Sequence, residues 1–168
     1  MQRIMVIGVS AGAGKSTFAA RLGKALDIDV FHLDAFFWKQ GWVEASMEEF
    51  TQSQQDMIKN HSSWIVEGNY TATFDIRAEK ADTIIYLELP LRVCLYRVIK
   101  RWLTNLGNRR PDLGGECTER MEWAFLKFII TTYRARKKAM KNRLDFYQED
   151  KLVVRLKGKR AIEYFIQE

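Results

Sequence analysis

Residues 8–17 read GVSAGAGKST. A phosphate-binding loop has glycine, any four residues, then Gly-Lys-Ser/Thr. Gly14, Lys15 and Ser16 fit the end of that pattern. Counting back, the first glycine falls on Val9, while a glycine stands one place earlier, at Gly8. The stretch is therefore off-pattern at its first position and intact where the chemistry is done. The flanks agree with it. Residues 3–7, RIMVI, read as a short buried strand. From Ser16 to Leu26 the apolar residues Phe18, Ala19, Leu22 and Leu26 recur at helical steps. Strand, glycine loop and helix is the context such a loop requires. Gly12, Ala13, Gly14, Lys15, Ser16 and Thr17 are the candidate ATP-binding residues. Gly12 and Gly14 allow a turn with inward N–H groups, Lys15 reaches the β- and γ-phosphates, and Ser16 ligates Mg²⁺. The alternative is a glycine-rich turn with a solvated lysine.

Further strands are expected at 28–34 (IDVFHLD, ending in Asp34), 63–68 (SWIVEG), 83–89 (TIIYLEL, ended by Pro90) and 151–156 (KLVVRL). Helices are expected at 46–60, 91–106, 118–143 and after Lys157. Ser46 and Glu49 form a capping box at the start of the first of these. Residues 107–115 are a polar loop rich in breakers. Strands alternating with helices give an α/β fold with a parallel sheet covered on both faces. No internal repeat or long linker divides the chain, so residues 1–168 read as a single domain.

No apolar run is long enough to span a bilayer and no signal-peptide pattern opens the chain. Cys94 and Cys117 are the only cysteines and have no ligand-like neighbours. A cytoplasmic protein without a membrane partner is the expectation. The net charge is +6, unevenly spread. Residues 1–90 carry 8 Lys/Arg against 12 Asp/Glu, and residues 91–168 carry 19 against 9. A basic half suits polyanions, nucleotide or nucleic acid, and equally suits solvated helices.

The segments GAGKST, HLDAFFW, WIVEGNY, ADTIIYLELP and NRRPDLGGECTER occur in this order. Together they resemble the bacterial DNA topology modulation proteins (the FlaR type), which are similar to adenylate kinase and other small P-loop kinases. The resemblance spans almost the whole chain. It implies a P-loop nucleoside/nucleotide-kinase-like, three-layer α/β/α fold with a five-stranded parallel sheet of order 2-3-1-4-5. It also implies a short arginine-bearing lid, at about 101–120. The family name implies an effect on DNA supercoiling; the fold implies phosphoryl transfer from Mg·ATP to a small acceptor such as a nucleoside or nucleotide.

By the same resemblance, Asp34 orients or deprotonates an acceptor hydroxyl or holds a Mg²⁺ water, and Glu67 holds Mg²⁺ together with Ser16. In open α/β sheets ligands bind beyond the strands' carboxyl ends, where both carboxylates fall. Both are also explicable as polar strand-end residues. Phe36, Phe37, Trp38 and Trp42 either floor an acceptor pocket or belong to the core. Tyr70 follows the third strand, and Arg77 is placed to grip an acceptor phosphate bidentately. Phosphoryl transfer spreads negative charge that guanidinium groups match. Arg101, Arg109 and Arg110 are the candidate lid arginines, with a basic surface loop as the alternative. Relatives pack the loop after the fifth strand against adenine, which points to Arg155. Glu88 is either a Mg²⁺ partner or a solvated residue, and Cys117 is read as incidental.

A competing reading rests on residues 133–143, YRARKKAMKNR, with six Lys/Arg. Such a helix can contact a phosphate backbone, yet no nucleic-acid-reading motif accompanies it. The alternative function is therefore an ATP-binding protein or ATPase that interacts with DNA and affects its topology. Monomer and homodimer both fit the sequence.

Overall fold

A computed structural model describes residues 1–105 and 122–166. In chain order the elements are β1 (Arg3–Gly8), α1 (Lys15–Leu26), β2 (Val30–His32), α2 (Leu33–Phe37), β3 (Trp38–Lys39), β4 (Val43–Glu44) and α3 (Met47–Asn60). They continue with β5 (Trp64–Glu67), α4 (Phe74–Lys80), β6 (Thr83–Glu88), α5 (Leu91–Thr104), α6 (Trp123–Tyr147), β7 (Leu152–Lys157) and α7 (Gly158–Tyr164). Five strands form a parallel sheet of order β2-β5-β1-β6-β7, which is 2-3-1-4-5 when only its own strands are counted.

The central position of β1 follows from its sequence. Ile4, Met5, Val6 and Ile7 are all fully buried, as a strand covered on both faces requires. The crossover from β1 to β2 runs opposite to those leading to β5, β6 and β7. Right-handed connections therefore put α1 on one face and the intervening helices on the other. The Phe18 and Phe165 rings stack 6.0 Å apart and join α1 to the chain's final turn. Register brings the strand ends level: Val6 lies beside Glu67, and His32 pairs with Glu67 from the other side. The carboxyl end of the sheet thus collects Gly8, His32 and Glu67 on three adjacent strands.

The capping box at α3 is present. Ser46 Oγ accepts from the Glu49 N–H at 3.2 Å, and the Glu49 carboxylate accepts from the Ser46 N–H at 2.9 Å. Other expectations shift. The strand expected at 28–34 stops at His32, because Leu33 turns into the core and opens α2. Asp34 therefore lies in the first turn of a short helix. The aromatic run then continues into a β3–β4 hairpin whose turn holds Gly41 (φ 75°) and Trp42 (φ 63°). Helix α6 runs to Tyr147, four residues beyond its expected end, and α4 was unforeseen. No helix among the described residues is long and apolar enough to cross a membrane.

Candidate active site

Lys15 begins α1, and the loop before it closes tightly around three points. A Cβ on Gly8 would lie 2.9 Å from Ala13 Cβ and 3.0 Å from Lys15 Cγ. The displaced glycine is thus needed where it stands, because the lysine stem folds back over the end of β1. Val9, at the position of the missing glycine, is 2% exposed and donates its N–H to the Leu87 carbonyl at 2.9 Å. It extends the pairing of β1 with β6 and belongs to the core. Gly12 (φ 77°) approaches α5 so closely that a Cβ would sit 2.2 Å from the Cys94 carbonyl oxygen. Gly14 (φ 89°) caps α1, and a Cβ there would sit 3.0 Å from Arg97 Nη1. The start of α1 is a favourable place for phosphate, since its first N–H groups lack helical partners.

Glu67 is 2% exposed and its oxygens have different fates. Oε1 accepts from Ser16 Oγ at 3.0 Å and meets His32 Nδ1 at 3.1 Å. Oε2 is buried with no hydrogen-bond partner among the described residues. Burial opposes the charged form most strongly. His32, Lys15 and Ser16 together outweigh it and hold the carboxyl below its ordinary value. Glu67 is therefore ionised at neutral pH with one oxygen unspent beside a serine hydroxyl. That donor set fits Mg²⁺, which takes few protein oxygens and keeps waters and substrate phosphates as its other ligands. The described residues hold no group of three His/Cys/Asp/Glu side chains that would form an all-protein metal cage.

The second end of the site is built on Asp34. Its Oδ1 accepts a 2.6 Å hydrogen bond from the Tyr70 hydroxyl. Burial first, then Asp34, pushes the Tyr70 pKa up, so the phenol remains a donor. Phe37 and Phe50 pack on the Tyr70 ring at 4.9 and 4.8 Å. Trp38 and Trp42 meet edge to face at 5.3 Å, and both line the cavity. Phe36 and Phe37 are core-packing residues outside its wall, so the aromatic run divides between the two readings.

Two roles change. Arg77 is fully buried and outside the cavity. Its guanidinium donates to the carbonyls of Tyr70 (2.8 Å), Gly68 (3.2 Å) and Thr73 (3.4 Å). Burial, then the nearby Arg143, lowers it to about 10. It braces the loop after β5 from beneath, and its donors are occupied by that loop instead of an acceptor phosphate. Arg155 pairs with Asp145 and donates to Gln148 Oε1 at 3.1 Å, away from the cavity wall. Glu88 pairs with Lys137 of α6 at 2.9 Å.

A cavity of about 1510 Å³ joins the two ends. It exceeds the roughly 300–1,000 Å³ typical of a single small ligand. Its wall includes Lys15, Ser16, Asp34, Glu67, Arg97 and Arg101. Arg109, Arg110 and Cys117 lie outside the described residues. Sequence reading missed His32, and it missed Asn69. Asn69 Oδ1 accepts from the Gly8 N–H at 2.9 Å while Nδ2 donates to the Gly8 carbonyl at 2.8 Å. The amide thus ties the loop after β5 to the end of β1. Its place in WIVEGNY, directly after Glu67 and Gly68, was the available signal.

No family model matches the chain, and no curated protein matches it. Solved structures do. One is shikimate kinase from Acinetobacter baumannii in complex with shikimate, 14% identical, covering 99% of this chain and 90% of that one, with a TM-score of 0.55. Another is shikimate kinase from Bacteroides thetaiotaomicron, 16% identical, covering 99% and 94%, with a TM-score of 0.54. The three-layer α/β/α architecture with its five-stranded parallel sheet is the fold this chain shares with those two structures.

Proposed function

We propose that this chain is an ATP-dependent phosphotransferase that moves the γ-phosphate of Mg·ATP to a small hydroxylated acceptor of the nucleoside or nucleotide class. The observation that carries the reading is the convergence of Lys15, Ser16 and the unspent Glu67 oxygen with the Tyr70–Asp34 pair on one cavity. Lys15 and the start of α1 hold the nucleotide phosphates. Ser16 and Glu67 are the residues that would hold Mg²⁺, whose charge offsets that of the β- and γ-phosphate oxygens when bound. Asp34, fixed by Tyr70, orients the acceptor hydroxyl and takes its proton. Arg97 and Arg101 face the charge that develops on the transferring group. Such transfer depends on positioning and charge stabilisation more than on a strong base. The first similar structure is a shikimate kinase in complex with shikimate, and the cavity volume here accommodates a nucleotide and an acceptor together.

The test is ADP release from Mg·ATP, screened against nucleosides, nucleoside monophosphates and hydroxylated metabolites, with supercoiled DNA in parallel. Strong stimulation by a small acceptor, abolished in a folded Lys15→Ala variant, is expected. Full activity in that variant refutes the site. Turnover that rises only with DNA replaces this reading with a DNA-linked ATPase of the topology-modulation kind.

A further inference from the structure

Asn69 meets the phosphate loop where the sheet runs out. In a parallel sheet the backbone groups of successive residues face opposite neighbours. Along β1 the Gln2 and Val6 carbonyls accept from the β5 side, from Trp64 at 2.8 Å and Gly68 at 3.2 Å. The Arg3 carbonyl accepts from Asp82 and the Val9 N–H donates to Leu87, both on the β6 side and both at 2.9 Å. Gly8 therefore turns its N–H and carbonyl toward β5, which has already ended at Glu67 beside Val6. Continued register would bring residue 69 opposite Gly8. Gly68 (φ 146°) turns the chain away first, and it lies so near Leu33 that a Cβ would sit 2.8 Å from the Leu33 Cβ. The Asn69 side chain makes the two missing bonds instead, accepting from the Gly8 N–H at 2.9 Å and donating to the Gly8 carbonyl at 2.8 Å. A side-chain amide carries an acceptor and a donor side by side, the same pair that a strand residue would present.

The turn that this amide anchors touches both ends of the site. Glu67 accepts from Ser16, and Tyr70 donates to Asp34. Between them Asn69 holds Gly8, against which the Lys15 stem lies. Leu33, pressed on Gly68, is the residue before Asp34. Arg77 fixes the Gly68 and Tyr70 carbonyls from beneath, so the turn is braced on the side away from the cavity. Asn69 is half-buried on the cavity wall. Misplacing a reacting or binding group by about 1 Å can cost about a hundredfold in rate. A backbone point that sets where the lysine stem lies is therefore worth fixing on both sides, and β6 fixes the other side through Val9.

We infer that Asn69 is a positioning residue for phosphoryl transfer. Through Gly8 it holds the Lys15 stem for the nucleotide phosphates. Through the turn it anchors, it keeps that grip in register with the Tyr70–Asp34 pair. The inference rests on the phosphotransferase reading, and the experiment separates the failure of one from the failure of the other.

The experiment titrates a non-hydrolysable ATP analogue with Mg²⁺ into the wild-type chain, Asn69→Leu, Gly8→Ala and the double variant, by calorimetry well below each Tm. Leucine has nearly the size of asparagine and makes neither bond. Asn69→Leu is expected to bind the analogue about tenfold or more weakly. The double variant should lose less than the product of the two single losses, because both changes reach Lys15 through Gly8. Met57→Ala, a core truncation outside the cavity wall, is the stability control: its Tm falls while its affinity stays within a factor of about two. In the acceptor assay Asn69→Leu should raise KM for ATP and lower kcat together. If leucine is not tolerated, Asn69→Ser is read in the same way. Unchanged analogue affinity in the folded Asn69 variant, an equal loss in Met57→Ala, or single losses that simply multiply would overturn the inference. A raised KM for ATP at unchanged kcat would overturn the link to Asp34. Wild-type protein that binds no analogue overturns the nucleotide reading and the inference with it. Failure of every acceptor to react overturns the phosphotransferase reading and leaves the hold on Lys15 to the calorimetry.

Discussion

Replacing Val9 by glycine restores the strict phosphate-loop pattern, and it is expected to harm the protein. Val9 is 2% exposed and packs in the core. Removing a buried valine side chain costs about 1.5–3 kcal/mol, and glycine in an extended segment costs a further ~0.5–1 kcal/mol. A loss of about 3 kcal/mol lowers Tm by about 6–12 °C for a chain of this size. No gain in nucleotide affinity accompanies it, because the loop's conformation is set by Gly12 and Gly14. Gly8→Ala is the complementary variant. Gly8 has no left-handed backbone requirement, but its Cβ would meet Ala13 and Lys15 at 2.9–3.2 Å. Overpacking of this kind costs about 1–3 kcal/mol, and the shift falls on the lysine stem. Affinity for a non-hydrolysable ATP analogue should drop by about tenfold or more. Thermal unfolding and calorimetric titration of both variants make the test. If Val9→Gly binds the analogue more tightly at an unchanged Tm, position 9 is a vacated glycine site and the packing argument is wrong. If Gly8→Ala binds it normally, Lys15 is not held as described.

Three further outcomes are expected. Arg77→Met removes the side-chain donors to the Tyr70, Gly68 and Thr73 carbonyls and should lower stability by about 3 kcal/mol, seen as a fall in Tm, while Arg77→Lys fails to rescue it; an acceptor-KM defect at unchanged Tm would restore the phosphate-grip role. Glu67→Gln should cut Mg²⁺-dependent turnover by about a hundredfold or more, and a titration in which activity is regained at high Mg²⁺ would fit a ligand role better than a structural one. Glu49 is held at about 2 by Lys39 first and then by the Ser46 cap, against an ordinary 4.5. The stability it contributes is complete above about pH 4.5 and lost as pH falls through about 2. The gap in urea midpoint between wild type and Glu49→Gln should therefore close across that window, and a gap that persists at pH 2 would contradict the assignment.

The sheet was legible because its central strand is a continuous apolar run and the others are short apolar segments separated by helical spacing. The order 2-3-1-4-5 was not in the periodicity; it came through the family resemblance and matches the structure. Asp34 shows where local reading stops. Its segment is apolar and β-rich, yet Leu33 reaches the core only if the strand ends and a helical turn begins. That turn brings Asp34 to Tyr70, thirty-six residues away, a pairing no local signal encodes. Asn69 is similar: an asparagine after a glycine reads as a turn residue, and only the adjacency of β1 and β5 makes it a clamp on Gly8.

The basic helix taught the opposite lesson, because there the sequence pattern was plain and its direction was not. Six cations in eleven residues read as one electropositive surface. The fold divides them. Arg134, Lys138 and Lys141 are exposed, Lys137 is spent on Glu88, and Arg136 and Arg143 line the cavity. Composition sees only the sum, whereas an α-helical repeat of 3.6 residues decides which charges meet solvent and which turn toward the cavity. The inward pair is the more informative half. An exposed lysine is compatible with almost any surface, while each of these half-buried guanidinium groups is fixed over an aromatic ring, Arg143 over Phe74 and Arg136 over Phe128. The fold therefore splits the basic run between an exposed set and a pair on the cavity wall, a division that composition alone does not carry.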